Sequence, residues 1–359
     1  VTRHLLAGGG TAGHVNPLLA TADEIRARDV GSEILVLGTA EGLEARLVPL
    51  RGYELSVIPR LPFPRRPNTA ALRFPGAFRA TIEDIVRTIR ERRIDVVVGF
   101  GGYAAAPAYL AARRAHVPFV VHEANARPGL ANRLGARFTP FVGVAFEGTP
   151  LPHARVVGMP LRREIAQLDR AAGREEARAA LRLDPDRPTL LVTGGSLGAR
   201  RINATIHDAA PALLATGFQI LHITGNRAEI TDPGIPGYHL LSYCDRMDLA
   251  LAAADLAVSR AGAATVSELS ALGLPAVYIP YPVGNGEQRF NARGVVDAGG
   301  AILVEDAAFV PGWVERELVP LLADPGRREE MARRAARVGV RDGSGRLVDL
   351  IEASLAAPR

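Results

Sequence analysis

The sequence opens the same way twice. Residues 5–13 read LLAGGGTAG and residues 190–198 read LLVTGGSLG, in each case an apolar strand, a glycine turn and the start of a helix. A glycine turn joining a buried strand to a helix is the first step of a doubly wound parallel sheet. Two such openings, at the heads of two halves of similar length, predict an α/β chain of two Rossmann-like domains whose parallel sheets face each other across a cleft. A length of 359 residues suits two domains. After the strand expected at 155–158, composition shifts at Arg162 to a charged, helix-prone stretch, which sets the junction. The expected domains are therefore 1–161 and 162–341, with a last helix in about 342–359 packing back onto the first.

The most specific local chemistry lies in 259–291, SRAGAATVSELSALGLPAVYIPYPVGNGEQRFNA. A strand at 255–258 enters a tight turn at Ser259, Arg260, Ala261 and Gly262. The spacing of Val266, Leu269 and Leu272 predicts a helix over 263–272, stopped by Gly273 and Pro275. The N–H groups of Gly262, Ala263, Ala264 and Thr265 then lie at a helix N-terminus, where small side chains let an anion approach the backbone. Glu268, one turn on, can reach hydroxyls of a ligand whose phosphate sits there. The loop that follows returns Gln288 and Asn291 to the same strand end. An ordinary turn with a Glu that only caps its helix is the competing reading.

In the first half, Gly8, Gly10 and Gly13 satisfy the G-x-G-x-x-G pattern, a weak match by itself. A dinucleotide fold also wants an acid at the end of the second strand. The strand expected at 33–37 ends in Leu37, Gly38 and Thr39, so the loop is read as phosphate-binding and NAD is disfavoured. The helix after it is expected from about Pro17 to Arg28. His14, beside the loop, is either a proton acceptor near neutral pH or a helix-start histidine bonded locally. Residues 62–75 form a proline- and arginine-rich stretch followed by an amphipathic helix over 80–93. Leu72, Phe74 and Phe78 alternate there with Arg65, Arg66, Arg73 and Arg79, a pattern suited to an anionic headgroup region or to a loop packing its own aromatics. A strand over 118–121 ends in His122, Glu123, Ala124 and Asn125, polar groups where open parallel sheets bind ligands. Arg162, at the junction, could clamp a phosphate.

Composition excludes several classes. The chain has no lysine, and its net charge of +5 favours anionic partners but is too interspersed with acids to indicate nucleic acid. No apolar run reaches the ~18 residues of a membrane span. A strand at the very start predicts no signal peptide. Cys244 is the single cysteine, which rules out an internal disulfide and fits a reducing cytoplasm.

Taken together, GGGTAGH, HEAN with ARPGLANR, GGSLGAR, and RAGAATVSE with EQRFNA resemble the MurG family, the lipid I N-acetylglucosaminyltransferases of peptidoglycan synthesis. The resemblance runs through essentially the whole chain in order. It implies a GT-B fold and transfer, with inversion, of N-acetylglucosamine from UDP-N-acetylglucosamine to the muramoyl 4-hydroxyl of lipid I. Lipid II would form at the cytoplasmic face of the membrane by a peripheral enzyme. Carried onto this sequence, Thr11, Ala12 and Gly13 face the sugar and the acceptor diphosphate, and Asn125 the donor sugar. Arg162 and Ser196 reach the UDP phosphates, and the Cys244 backbone reads uracil. Ala263, Ala264, Thr265, Val266 and Ser267 cover the anion-binding helix start, Glu268 holds the ribose, and Gln288 with Asn291 the sugar hydroxyls. Ala12 stands where the family often has glycine, and Ala124 where it often has glutamine. His14 is the leading general base and Glu123 the weaker alternative. No cofactor and no essential divalent metal are expected. An anionic lipid surface is an expected partner, with room for other cell-wall synthesis proteins. The alternatives are another UDP-sugar transferase with a different lipid or small-molecule acceptor, an NAD-dependent oxidoreductase, or a non-catalytic nucleotide-binding module.

Overall fold

The computed structural model describes residues 1–62, 69–195, 199–226, 228, 230–283 and 286–357. The chain divides into two compact units, Val1–Arg162 with Asp342–Arg359, and Arg163–Arg341. Arg162 thus groups with the first unit and not, as the composition shift suggests, with the second.

The first unit is a parallel sheet of β1 (Arg3–Ala7), β2 (Glu33–Gly38), β3 (Glu54–Val57), β4 (Val96–Gly99), β5 (Phe119–Glu123), β6 (Val142–Val144) and β7 (Ala154–Val156). Their order is β3-β2-β1-β4-β5-β6-β7. Strand pleating divides its core in two. Leu5, Ala7, Val97 and Val121 pack with Ile82, Ile85 and Ile89 on one face. Leu6, Val96, Val98 and Val120 pack with Val15, Leu18, Leu347 and Ile351 on the other. The last two come from the Gly343–Ala356 helix, which Arg28 also ties down through Asp349 (2.6 Å) and the Gly345 carbonyl (2.9 Å).

The second unit repeats the design with β8 (Thr189–Thr193), β9 (Gln219–Ile223), β10 (Tyr238–Leu241), β11 (Leu256–Ser259), β12 (Ala276–Tyr278) and β13 (Ala301–Leu303). Its order is β10-β9-β8-β11-β12-β13, all parallel. In both sheets the winding reverses beside the first strand, between β1 and β4 and between β8 and β11. Doubly wound sheets bind ligands outside the carboxyl ends of the strands at that reversal.

Two sequence expectations need correction. The first helix runs Ala12–Arg28, so Pro17 lies inside it and His14 belongs to its first turn rather than to the loop before it. The third helix is Thr69–Glu91, longer than expected and containing Pro75. Its Ile82, Ile85, Val86 and Ile89 are anchored in the core, and that burial outweighs the one backbone bond a proline removes. Strand β6 and the short Glu44–Leu50 helix were absent from the sequence reading.

Candidate active site

In the first unit, the turn after β1 and the turn after β4 meet at the reversal point. Thr11 caps the Ala12–Arg28 helix in an extended conformation, and its carbonyl accepts from the His14 and Val15 N–H groups, both at 3.1 Å. Thr11 and Ala12 are exposed, and Gly13 and His14 half-buried. The His14 Nδ1 lies 3.1 Å from the Gly9 carbonyl oxygen and 3.3 Å from Thr11 Oγ1. A nitrogen held against a carbonyl oxygen is the protonated one, so Nδ1–H donates to Gly9 and Nε2 is left as the basic nitrogen. The turn after β4 fits closely beneath. Gly102 has φ +78°, and a Cβ there would lie 2.5 Å from the Gly9 oxygen. At Gly101 (φ +94°) it would lie 3.0 Å from His14 Nε2.

Under the same loop sits a carboxylate that the sequence reading missed. Glu44 is 0% exposed. Its Oε2 accepts from Gly10 N–H (2.8 Å), and its Oε1 from Thr39 N–H (2.9 Å) and Thr39 Oγ1 (2.8 Å). Burial opposes its charge, but the donors, Gly10 first, prevail and hold its pKa below the usual glutamate value. A Cβ at Gly9, Gly38 or Gly42 would come within 2.5 Å of its side chain.

At the end of β5, Glu123 is 3% exposed, and its carboxylate is engaged throughout. It accepts from the N–H groups of Asn125 and Gly129 and from Asn132 Nδ2, each at 2.9 Å. Asn132 in turn donates to the His122 carbonyl (3.0 Å) and accepts from Tyr109 OH (2.7 Å). These bonds make Glu123 the frame of the 124–129 turn that carries Asn125. His122 is fully buried, its Nε2 3.1 Å from the Gly158 carbonyl, and burial lowers its pKa to about 4.

In the second unit, the Ala263–Ala271 helix begins at Gly262 with no side-chain cap and no acidic residue in its first turn. Its first intrahelical bond runs from Val266 N–H to the Gly262 carbonyl (2.9 Å). The N–H groups of Ala263, Ala264 and Thr265 therefore precede the helix ladder. Ala264, Thr265, Ser267 and Glu268 are half-buried, whereas Val266 is in the core. Gln288 joins the two loops here, its Oε1 accepting from Ala261 N–H (3.2 Å) and Tyr281 N–H (2.9 Å). Asn291 is only 1% exposed and donates from Nδ2 to the Ala261 carbonyl (3.3 Å). That bond ties it to the backbone of the turn. Arg260 supports it too, paired with Asp306 (2.5 Å) and donating to the Ile279 and Pro280 carbonyls (3.1 Å each).

The half-buried Cys244 has its thiol pKa raised, chiefly by burial, which suits an inert thiol and not a nucleophile. Arg162 is half-buried. Ser196, with the rest of its turn at 197–198, and Arg65 and Arg66 lie outside the described residues. On the Thr69–Glu91 helix, Leu72 is 83% exposed, Phe74 and Phe78 stack at 5.4 Å, and Arg73 and Arg79 are exposed. Among the described residues, no helix is long and apolar enough to cross a membrane, and no group of three or more His, Cys, Asp or Glu is placed to hold a metal ion.

Two doubly wound units of one strand order, each with a glycine turn at its reversal point, define the GT-B class of glycosyltransferase. The chain matches the glycosyltransferase family 28 N-terminal domain over residues 4–143 and the family 28 C-terminal domain over residues 189–347. It is 68% identical, over 99% of its length and 100% of the relative's, to the UDP-N-acetylglucosamine--N-acetylmuramyl-(pentapeptide) pyrophosphoryl-undecaprenol N-acetylglucosamine transferase of Leifsonia xyli subsp. xyli. The Streptomyces coelicolor protein of the same name is 54% identical, with 98% of each chain covered. The crystal structure of Acinetobacter baumannii MurG superimposes with a TM-score of 0.79 at 27% identity, covering 98% of this chain and 100% of that one. The chain belongs to glycosyltransferase family 28 and, within it, to the MurG family.

Proposed function

We propose a division of labour between the two units in the family's reaction. The chain transfers N-acetylglucosamine from UDP-N-acetylglucosamine to lipid I, giving lipid II. The second unit holds the donor. Uracil is read by backbone at Cys244, the ribose by Glu268, the diphosphate by the N–H groups of Ala263, Ala264 and Thr265 with Ser196, and the sugar by Gln288, while Arg162 and Asn125, assigned to the phosphates and the donor sugar, are contributed by the first unit. Asn291 acts by holding the turn. The first unit holds the acceptor, with Thr11, Ala12 and Gly13 toward its diphosphate.

His14 Nε2 takes the proton of the muramoyl 4-hydroxyl as its oxygen attacks C1 of the sugar. The C1–O bond to UDP breaks on the opposite face, which inverts the anomeric centre. Charge developing on UDP meets the open helix start and an arginine, so a divalent ion is not essential. The exposed Leu72 with the Phe74–Phe78 stack and Arg73 and Arg79 rests on anionic lipid at the cytoplasmic face of the membrane, bringing the enzyme to its lipid-linked substrate.

The observation that supports this reading most is the start of the Ala263–Ala271 helix, which has neither cap nor acid to neutralise it. The test is incubation with UDP-N-acetylglucosamine and a short-chain lipid I analogue, followed by mass analysis, with and without chelator. A product heavier by one N-acetylhexosamine in both samples is expected. Its absence from the chelated sample alone would overturn the metal-free mechanism, and its absence from both the acceptor assignment.

A further inference from the structure

We propose that Glu44 is a positioning residue for His14, acting through the single peptide unit that joins Gly9 to Gly10. The inference rests on the reading of His14 as the base. The Gly10 N–H, 2.8 Å from Glu44 Oε2, and the Gly9 carbonyl, 3.1 Å from His14 Nδ1, belong to one peptide group. A trans peptide points its N–H and C=O in opposite directions, so carboxylate and imidazole approach the loop from opposite sides and are joined by one polarisable unit. A charged acceptor at one end of a peptide makes the oxygen at the other end a stronger acceptor. Glu44 thereby fixes the Nδ1–H tautomer and steadies the imidazolium formed when Nε2 receives a proton. A carboxylate bonded directly to a catalytic histidine does the same in hydrolases. The Nδ1 proton stays in place, and Glu44 keeps its charge throughout.

The surroundings fit this role. Three glycines, 9, 38 and 42, make room for the carboxylate, and Gly102 closes on the Gly9 oxygen from the other side. Arg60, which Glu41 also faces, is the cation near Glu44. His14 is faced by the buried His122, Thr11 Oγ1 and the neutral Asn132 amide.

The test is Glu44→Gln, read by imidazole 15N NMR and by steady-state kinetics. A wild-type enzyme holding one Nδ1–H tautomer is expected, with mixed tautomers in the variant. Its kcat should fall about tenfold, the order seen when a partner of a ligand-orienting group is lost, with KM for UDP-N-acetylglucosamine unchanged. A folded variant with wild-type tautomer and kcat overturns the proposal. Should Glu44→Gln not fold, the Gly10 amide proton decides. It should lie far downfield in wild type and move upfield in His14→Gln, and a resonance indifferent to His14 overturns the relay. Full turnover in His14→Ala would instead remove His14 as base, and the NMR readouts distinguish that failure from this one.

Discussion

The turn after β1 and the turn after β11 are built alike, strand to glycine to helix, yet they handle negative charge in opposite ways. Beneath the first, the protein has buried its own carboxylate, and the Gly10 N–H that could have met a ligand anion is already given to Glu44. At the second, the helix starts on Gly262 with no cap and no acid, and the backbone donors are left for something else. The same local fold therefore makes a loop suited to holding a histidine and a helix start suited to holding a phosphate. What separates them is one side chain, Glu44, contributed from 34 residues away.

The sharpest way to break this contrast is His14→Ala. If the first loop exists to hold a base, kcat should fall by about 10²–10⁴, with KM for the donor within a few-fold. Loss in KM alone would mean that His14 only binds ligand and handles no proton. Next in size is the response to acid, which the two units should share. His122 and His222 are buried, and burial holds each at about 4 against 6.5 for an unfolded histidine. As pH falls below 6.5 the unfolded chain takes up protons that the folded chain refuses, so stability drops down to about pH 4 and levels off below it. Each histidine is worth up to about 3 kcal/mol over that window. Calorimetry from pH 7 to 4 should show both units weakening, and a flat profile for either would contradict burial of its histidine in the neutral form.

A smaller and more diagnostic effect is expected from Ala264→Asp. An acid in the first turn favours the helix by about 0.3–1 kcal/mol, while its charge should weaken UDP binding about tenfold. A melting temperature and an affinity that move in opposite directions would sharpen the contrast, and unchanged UDP binding would sink the phosphate assignment. The smallest effect is Cys244→Ala. If backbone alone reads the base there, KM for the donor should stay within about twofold, a change below ~0.5 kcal/mol. A larger rise would give the thiol a role.

The doubled glycine turns, the alternation of buried strands and the capless start at Gly262 are all local in the chain, and local pattern made them legible. What could not be read was long-range or depended on burial. Glu44 lies in a seven-residue helix after the second strand, and nothing in GTAEGLEARL points toward Gly10. Glu123 and Asn291 read as ligand contacts because polar residues at strand ends often are; their hydrogen bonds to Gly129, Asn132 and Ala261, which brace the turns, depend on the fold and could not be read from the chain. Pro17 and Pro75 read as boundaries because proline removes a helix bond, a cost the packed faces around Leu18 and Ile82 outweigh.

The final helix, Gly343–Ala356, also bears on how the molecule is made. Leu347 and Ile351 fill the core beside β1 and β4, so the unit synthesised first lacks part of its interior until residues 343–356 emerge from the ribosome. The second unit is one uninterrupted segment and can close while the first still waits. A nascent chain stalled near residue 340 should therefore resist protease in its later half and be cut in its earlier one.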